Sequence, residues 1–265
     1  MKFVNRGEFF ARFSLGNFTI TVLSDGYADM PTSRLHGATA LDLLPLPLFD
    51  GQLRLSVNAF LVETPSGTLL IDTGSANVWR TTTGRLFEAL AEARVAPKNI
   101  ETIALTHTHV DHVNGLVMPD GHETFFNATR ICVPENELSL FRAEERLRST
   151  FSKLVGFSDG DKIAEGATAL AAYGHEMGHS AFLIESGDER LLIWGDIIHV
   201  PSLQFSKPHI TWEFDADQNQ ARQSRLHLLD WVAKEKIAVA GAHHDFPGIG
   251  YVASAPSGYR FTAIA

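Results

Sequence analysis

Cysteine is nearly missing from this chain. Cys132 stands alone, so no internal disulfide can form and no thiolate metal site can be assembled. It lies in the apolar run Arg130-Ile131-Cys132-Val133 and reads as inert core, in keeping with a reducing compartment. Long hydrophobic runs are missing too. The opening residues MKFVNRGEFFARFSLG hold no apolar stretch long enough for a secretory signal, and nowhere do about 18 apolar residues follow one another. A soluble, cytoplasmic protein with no membrane partner is expected. Basic charge is in short supply, with Lys+Arg at 22 against Asp+Glu at 31 and a formal net charge of −9. Binding nucleic acid requires a concentrated basic surface, so a small molecule is the expected partner, and a homodimer is left open. Repeats, low-complexity tracts and long linkers are absent as well. With 265 residues, 45% of them hydrophobic, the expectation is a single domain over 1–265 with a well-filled core.

Residues 17–24 (NFTITVLS) alternate apolar and polar as a half-buried strand does. SVNAFLVE at 56–63 and TLLIDTG at 68–74 read as a hairpin turned by Thr64-Pro65-Ser66-Gly67. Leu86, Leu90 and Val95 among good helix formers predict a helix over 77–95, closed by Pro97. Strands follow at 100–105 and 129–133, then a helix at 134–149 with Pro134 at its start. Beyond these come strands at 168–173, 181–186 and 190–195, a long helix at 216–236, and short strands at 237–240 and 259–264. Strands and helices grouped in two similar halves predict an α/β (α+β) chain, with two sheets packed face to face and helices outside. Prolines forbid an ordinary helix across Leu43-Leu44-Pro45-Leu46-Pro47-Leu48-Phe49. That run is either a loop packed on the core or an apolar binding wall.

Histidine is what the chain has in excess: twelve residues, most of them in short clusters just after apolar strands. Thr106-His107-Thr108-His109-Val110-Asp111-His112 places four strong metal ligands within six residues. Alternate side chains of a loop at a strand end share a direction, so His107 and His109 can serve one ion while Asp111 and His112 reach a second. Imidazole and carboxylate donors suit zinc and similar divalent ions. Gly174-His175-Glu176-Met177-Gly178-His179, Trp194-Gly195-Asp196 and Gly241-Ala242-His243-His244-Asp245 follow in order and complete two coordination shells.

In these elements the chain resembles the metallo-β-lactamase superfamily, whose His-x-His-x-Asp-His pattern, later histidine, later aspartate and final histidine are matched over nearly the whole length. The resemblance implies a four-layer αββα sandwich and two divalent ions, zinc the leading candidate. His107, His109 and His175 would hold the first ion and Asp111, His112 and His243 the second, with Asp196 bridging. It places His179 behind the ligands, prefers His243 to His244 by the spacing to Phe246-Pro247-Gly248, and makes Asp72 in Leu70-Ile71-Asp72-Thr73-Gly74 a residue that orients a ligand imidazole. Within the family, GDIIHVPSLQFSKP at 195–208 and HHDFPGIGYV at 243–252 are similar to the branch of methyl parathion hydrolase and the N-acyl-homoserine lactonases. His199 departs from the tyrosine common at that place in small lactonases, and is expected to line the pocket or bind a leaving group.

The reaction so implied is hydrolysis by a metal-held hydroxide, with Asp111 carrying a proton and Asp196 and His199 completing the catalytic set. The expected substrate is a mainly apolar, uncharged ester, lactone or phosphotriester. No Arg/Lys cluster adjoins the histidine motifs in sequence, and Leu43–Phe49, Phe205 and Phe246 are expected to form the apolar wall. Hydrolysis of a β-lactam or thioester, an iron-dependent oxygenase and a ligand-binding protein without catalysis are the alternatives.

Overall fold

The computed structural model describes residues 1–118, 124 and 126–264. Among these, one sheet of eight strands runs in the order Lys2–Arg6, Phe10–Leu15, Phe18–Met30, Leu53–Thr64, Gly67–Ile71, Thr102–Ala104, Arg130–Pro134, Leu154–Phe157. The second, of seven strands, runs Lys162–Ala164, Ala167–Ala171, Ser180–Ser186, Glu189–Ile193, Ala238–Ala240, Ile249–Ser254, Tyr259–Ala263. Each sheet changes from antiparallel to parallel pairing toward its centre: Gly67–Ile71 is parallel to Thr102–Ala104, and Glu189–Ile193 to Ala238–Ala240.

Alternation along the central strands builds the layers, because successive side chains point to opposite faces. Phe60, Val62, Leu69 and Ile71 meet Phe182, Ile184, Leu191, Ile193, Ala238 and Ala240 between the sheets. Their neighbours Ala59, Leu61 and Leu70 turn outward onto Leu86, Ala89, Leu90 and Phe141 of the helical cover. On the far side Leu192 and Val239 pack on Leu228, Leu229 and Val232 of the helix Gln218–Glu235. The result is helix, sheet, sheet, helix. Both faces of each central strand are buried, so those strands read as continuous apolar runs. The long helix starts where the Asp217 carboxylate caps the N–H groups of Asn219 and Gln220, and stops at Lys236 in the left-handed region.

Two expected helices are cut short. Only Leu86–Glu92 of 77–95 is α-helical, because the N–H groups of Ser75, Gly84 and Leu86 point at the buried Asp25 carboxylate and hold 77–85 as a loop. The 134–149 helix is α-helical over Leu138–Ala143 and flanked by 3-10 turns. Strands at both ends of the first sheet, together with Lys162–Ala164 and Ile249–Ser254, were not expected. Within 38–52 a single helical turn, Ala40–Leu43, is held by reciprocal bonds between Thr39 and Asp42. Among the described residues, no helix is long and apolar enough to cross a membrane.

Candidate metal centre

Gly67–Ile71, Thr102–Ala104, Ala167–Ala171, Glu189–Ile193 and Ala238–Ala240 all end at one rim of the sandwich, and each is followed within a few residues by a histidine or aspartate of the site. After Ala104 the chain bends at Thr106, is extended at His109 and then coils into the turn Val110–Val113. That switch of period sets His107 and His109 apart from Asp111 and His112. Gly174 (φ +124) precedes His175, and a Cβ there would lie 2.0 Å from Ala221 N. Gly195 (φ +55) precedes Asp196, where a Cβ would lie 2.7 Å from His179 Nε2. Only glycine lets the backbone approach so closely in this conformation.

Asp196 is the hub. Its Oδ2 lies 3.0 Å from His243 Nε2, 3.2 Å from His175 Nε2, 3.3 Å from His199 Nε2 and 3.8 Å from His107 Nε2, while Oδ1 lies 3.3 Å from His112 Nε2. Asp111 Oδ2 sits 3.7 Å from His243 Nε2 and 3.8 Å from His112 Nε2. His109 turns Nδ1 toward His175 Nε2 at 3.1 Å. Three donor groups result, His107/His109/His175/Asp196, Asp111/His112/His243 and Asp196/His199/His243, each with donor atoms within 4.8 Å of one another.

The residues fit divalent cations. His107 Nε2, His112 Nε2, Asp196 Oδ1 and both ring nitrogens of His199 are buried with no hydrogen-bond partner, an arrangement that costs roughly 1–3 kcal/mol per group when nothing satisfies it. Divalent cations would accept the lone pairs of His107 Nε2, His112 Nε2 and Asp196 Oδ1. Burial, reinforced by His112 and His109, holds the His107 imidazole neutral. At His175 burial disfavours charge, but Asp196 and Asp215 outweigh it and push the ring up to about 9, so a cation there would displace a proton.

A supporting ring holds these side chains. Asp72 Oδ2 lies 2.8 Å from His112 Nδ1, and its Oδ1 accepts from Thr106 N–H at 2.8 Å. His243 Nδ1 points at the Ser56 carbonyl at 2.8 Å, and Glu176 meets His109 Nε2 at 2.8 Å. Buried Glu137 accepts from Thr108 Oγ1 and Gly178 N–H, tying the two histidine loops together. His179 Nε2 accepts the Asp196 N–H at 3.0 Å while Nδ1 donates to the Ala172 carbonyl, so neither nitrogen is free to face the centre. His244 lies among Trp194, Phe205 and Phe261, away from the donor groups. Asp215, Glu176 and Glu137 were missed in the sequence, where nothing marks them as partners of distant loops.

Above Asp196 opens a cavity of about 380 Å³. Its apolar wall is Met30, Leu55, Trp79, Val110, Trp212 and Phe214, with His199 stacked on Trp212 at 5.2 Å. This corrects the expected wall. Phe205 stacks on Phe261 in the core, Phe246 packs against the core between the sheets, Leu46 is buried in a cluster with Trp212, and Leu44, Leu48 and Phe49 are exposed. Arg34 and Arg80 also reach the cavity, cations that no sequence neighbourhood announced.

A profile of the Metallo-beta-lactamase superfamily matches residues 53–230. N-acyl homoserine lactonase from a Bacillus species is 24% identical over 233 residues, covering 78% of this chain and 87% of that protein. Four further relatives are matched over only 39–49% of their own length. Among solved structures, hydrolase AbOPH of the beta lactamase superfamily aligns with a TM-score of 0.89 at 25% identity over 98% of this chain and 99% of that one. AidC, a dizinc quorum-quenching lactonase in complex with a product, aligns with a TM-score of 0.84 at 25% identity over 97% of each chain.

Proposed function

The chain belongs to the metallo-β-lactamase superfamily, and from that premise we propose that it hydrolyses a small ester or lactone of largely apolar body at two divalent ions, zinc the leading candidate. The observation that carries this reading is the convergence of unpartnered imidazole and carboxylate atoms on Asp196 at the floor of an apolar-walled cavity. His107, His109 and His175 would hold one ion and Asp111, His112 and His243 the other, with Asp196 between them. When bound, such ions supply a hydroxide near neutral pH and stabilise the charge that develops on the substrate oxygen. Lactonase relatives with matched length support the lactone end of the range.

The protein's own groups do the rest. Asp111 stands at the cavity floor with a carboxylate free to pass a proton to the leaving oxygen. Asp72, Asp215 and Glu176 fix which nitrogen of each facing imidazole carries the proton. His199, held near pKa 4 by burial, stays neutral between Trp212 and His243 and offers a ring N–H to the leaving group. Met30, Leu55, Trp79, Trp212 and Phe214 exclude water from the body of the substrate.

Steady-state turnover of a lactone, an aryl ester and a phosphotriester, beside a phosphodiester control, tests the reading together with elemental analysis. Close to two ions per chain and preference for lactone or ester are expected. Active protein that reproducibly carries almost no metal would sink the mechanism.

A further inference from the structure

The two arginines on the cavity wall are in different states. The Arg34 guanidinium is engaged: it pairs with Glu213 and lies 4.8 Å from the Phe214 ring centroid. Arg80 makes no ion pair among the described residues. Its neighbours are the Trp79 ring at 5.6 Å and Met30 Sδ at 4.0 Å, apolar members of the same wall. Glu144, exposed on that wall, pairs with neither arginine among the described residues.

An unpaired guanidinium here is a local cation on a molecule of net charge −9, set on the same wall as the unpaired Glu144 carboxylate. The cavity floor is cationic as well once two divalent ions outweigh Asp111, Asp196 and a hydroxide. An uncharged substrate would take at most a hydrogen bond to a neutral oxygen from Arg80. A carboxylate gains more, because the planar fork of the exposed Arg80 matches its two oxygens, with the Trp79 ring and Met30 Sδ beside it.

We propose that the substrate carries a carboxylate at the end of its apolar body remote from the scissile ester, and that Arg80 binds it at the cavity mouth. The proposal rests on the hydrolase reading only in placing the ester end at Asp196. The apolar lining residues would then face the body of the substrate between its two polar ends. Glu144 disfavours any anion that the Arg80 fork does not hold.

The test compares two aryl esters of suberic acid, one with its far carboxylate free and one capped as a methyl ester, on the metal-loaded full chain. Wild type should favour the free acid in kcat/KM by about tenfold, mainly through KM, and the preference should shrink as salt rises. In Arg80→Gln the ratio should fall to about one, in Arg80→Lys to an intermediate value, and in Glu144→Gln it should grow. No preference in wild type, or one that survives in Arg80→Gln, overturns the proposal. Should neither ester turn over, calorimetry of suberate against octanoate separates the two readings. A suberate advantage lost in Arg80→Gln upholds the role of Arg80 while the hydrolase reading falls; equal binding of both acids overturns it.

Discussion

Asp215 Oδ1 lies 2.9 Å from His175 Nδ1, although the two residues are 40 positions apart. The contact holds a ring proton on Nδ1, so that Nε2, 3.2 Å from Asp196, is the nitrogen a cation would take by displacing a proton. Asp215 is itself fixed by the Trp212 N–H at 3.0 Å and by Arg225 at 3.6 Å, and Arg225 is anchored on the carbonyls of Ile197, Pro208 and Ile210. Arg225, Asp215 and His175 thus form a buried chain from the long helix to the centre.

Removing the acceptor should loosen that imidazole. Asp215→Ala is expected to lower metal affinity by about 10–100-fold, read by competition with a chelator. Asp215→Asn keeps an oxygen acceptor and should lose less. Equal affinity in wild type and the alanine variant would show that His175 needs no such orientation.

Asp196 and Asp72 are both buried carboxylates, but one faces five imidazoles and the other one. Asp196→Ala should therefore lose at least one ion per chain and reduce turnover well beyond the roughly 10–100-fold expected of Asp72→Ala. Metal content and kcat measured on the same preparations decide it. Full turnover and full metal in Asp196→Ala would remove Asp196 from the centre.

How far this centre could be read in advance depended on distance along the chain. His107, His109, Asp111 and His112 are neighbours, and each later ligand candidate follows a strand with a clear apolar pattern. Asp215, Glu137 and Asp25 act across 40 to 61 positions, and no local pattern reports such contacts. Asp25 also bears on why helical periodicity failed over 77–85, since its carboxylate takes the N–H of Gly84 and, just outside the segment, those of Ser75 and Leu86. The edge strands Lys2–Arg6 and Leu154–Phe157 carry little burial, hence little alternation to detect. The cavity wall gathers Met30, Leu55, Trp79 and Trp212 from four separated segments, so the contiguous Leu43–Phe49 run misled. One local signature did exist there: Thr39 and Asp42, spaced as a capping box, mark the helical turn that carries Leu41 outward.

His243 and His244 differ in what surrounds them. His243 Nε2 faces Asp196 and Asp111, whereas the His244 ring packs within 5.5 Å of Trp194, Phe205 and Phe261. His243→Ala should cost one ion per chain. His244→Phe replaces a buried polar ring by an apolar one among aromatics and should keep both ions and a thermal midpoint no lower than wild type. Loss of metal in His244→Phe with retention in His243→Ala would exchange the two assignments.

The loop that presents Trp79 and Arg80 hangs on Asp25, which accepts from Ser75 N–H and Oγ and from the N–H groups of Gly84 and Leu86 at 2.9–3.1 Å. Burial nevertheless dominates and raises its carboxyl from 3.8 to about 6. A raised folded-state pKa means that between these values the folded chain holds a proton the unfolded chain has released. The stabilising contribution is therefore complete below pH 3.8 and is lost as pH rises through about 6, by about 3 kcal/mol in all. Asp25→Asn cannot titrate there, so the stability of wild type relative to the variant should shrink by about that amount from acid to neutral pH. Urea melts of both metal-free proteins give the difference directly, and the titrating histidines common to both cancel. A difference that stays flat across the range would mean that the four donors hold Asp25 ionised throughout. The amide that Asp25→Asn introduces would also turn a donor toward backbone N–H groups, so the same variant should raise KM through a looser Trp79–Arg80 wall, with metal content unchanged.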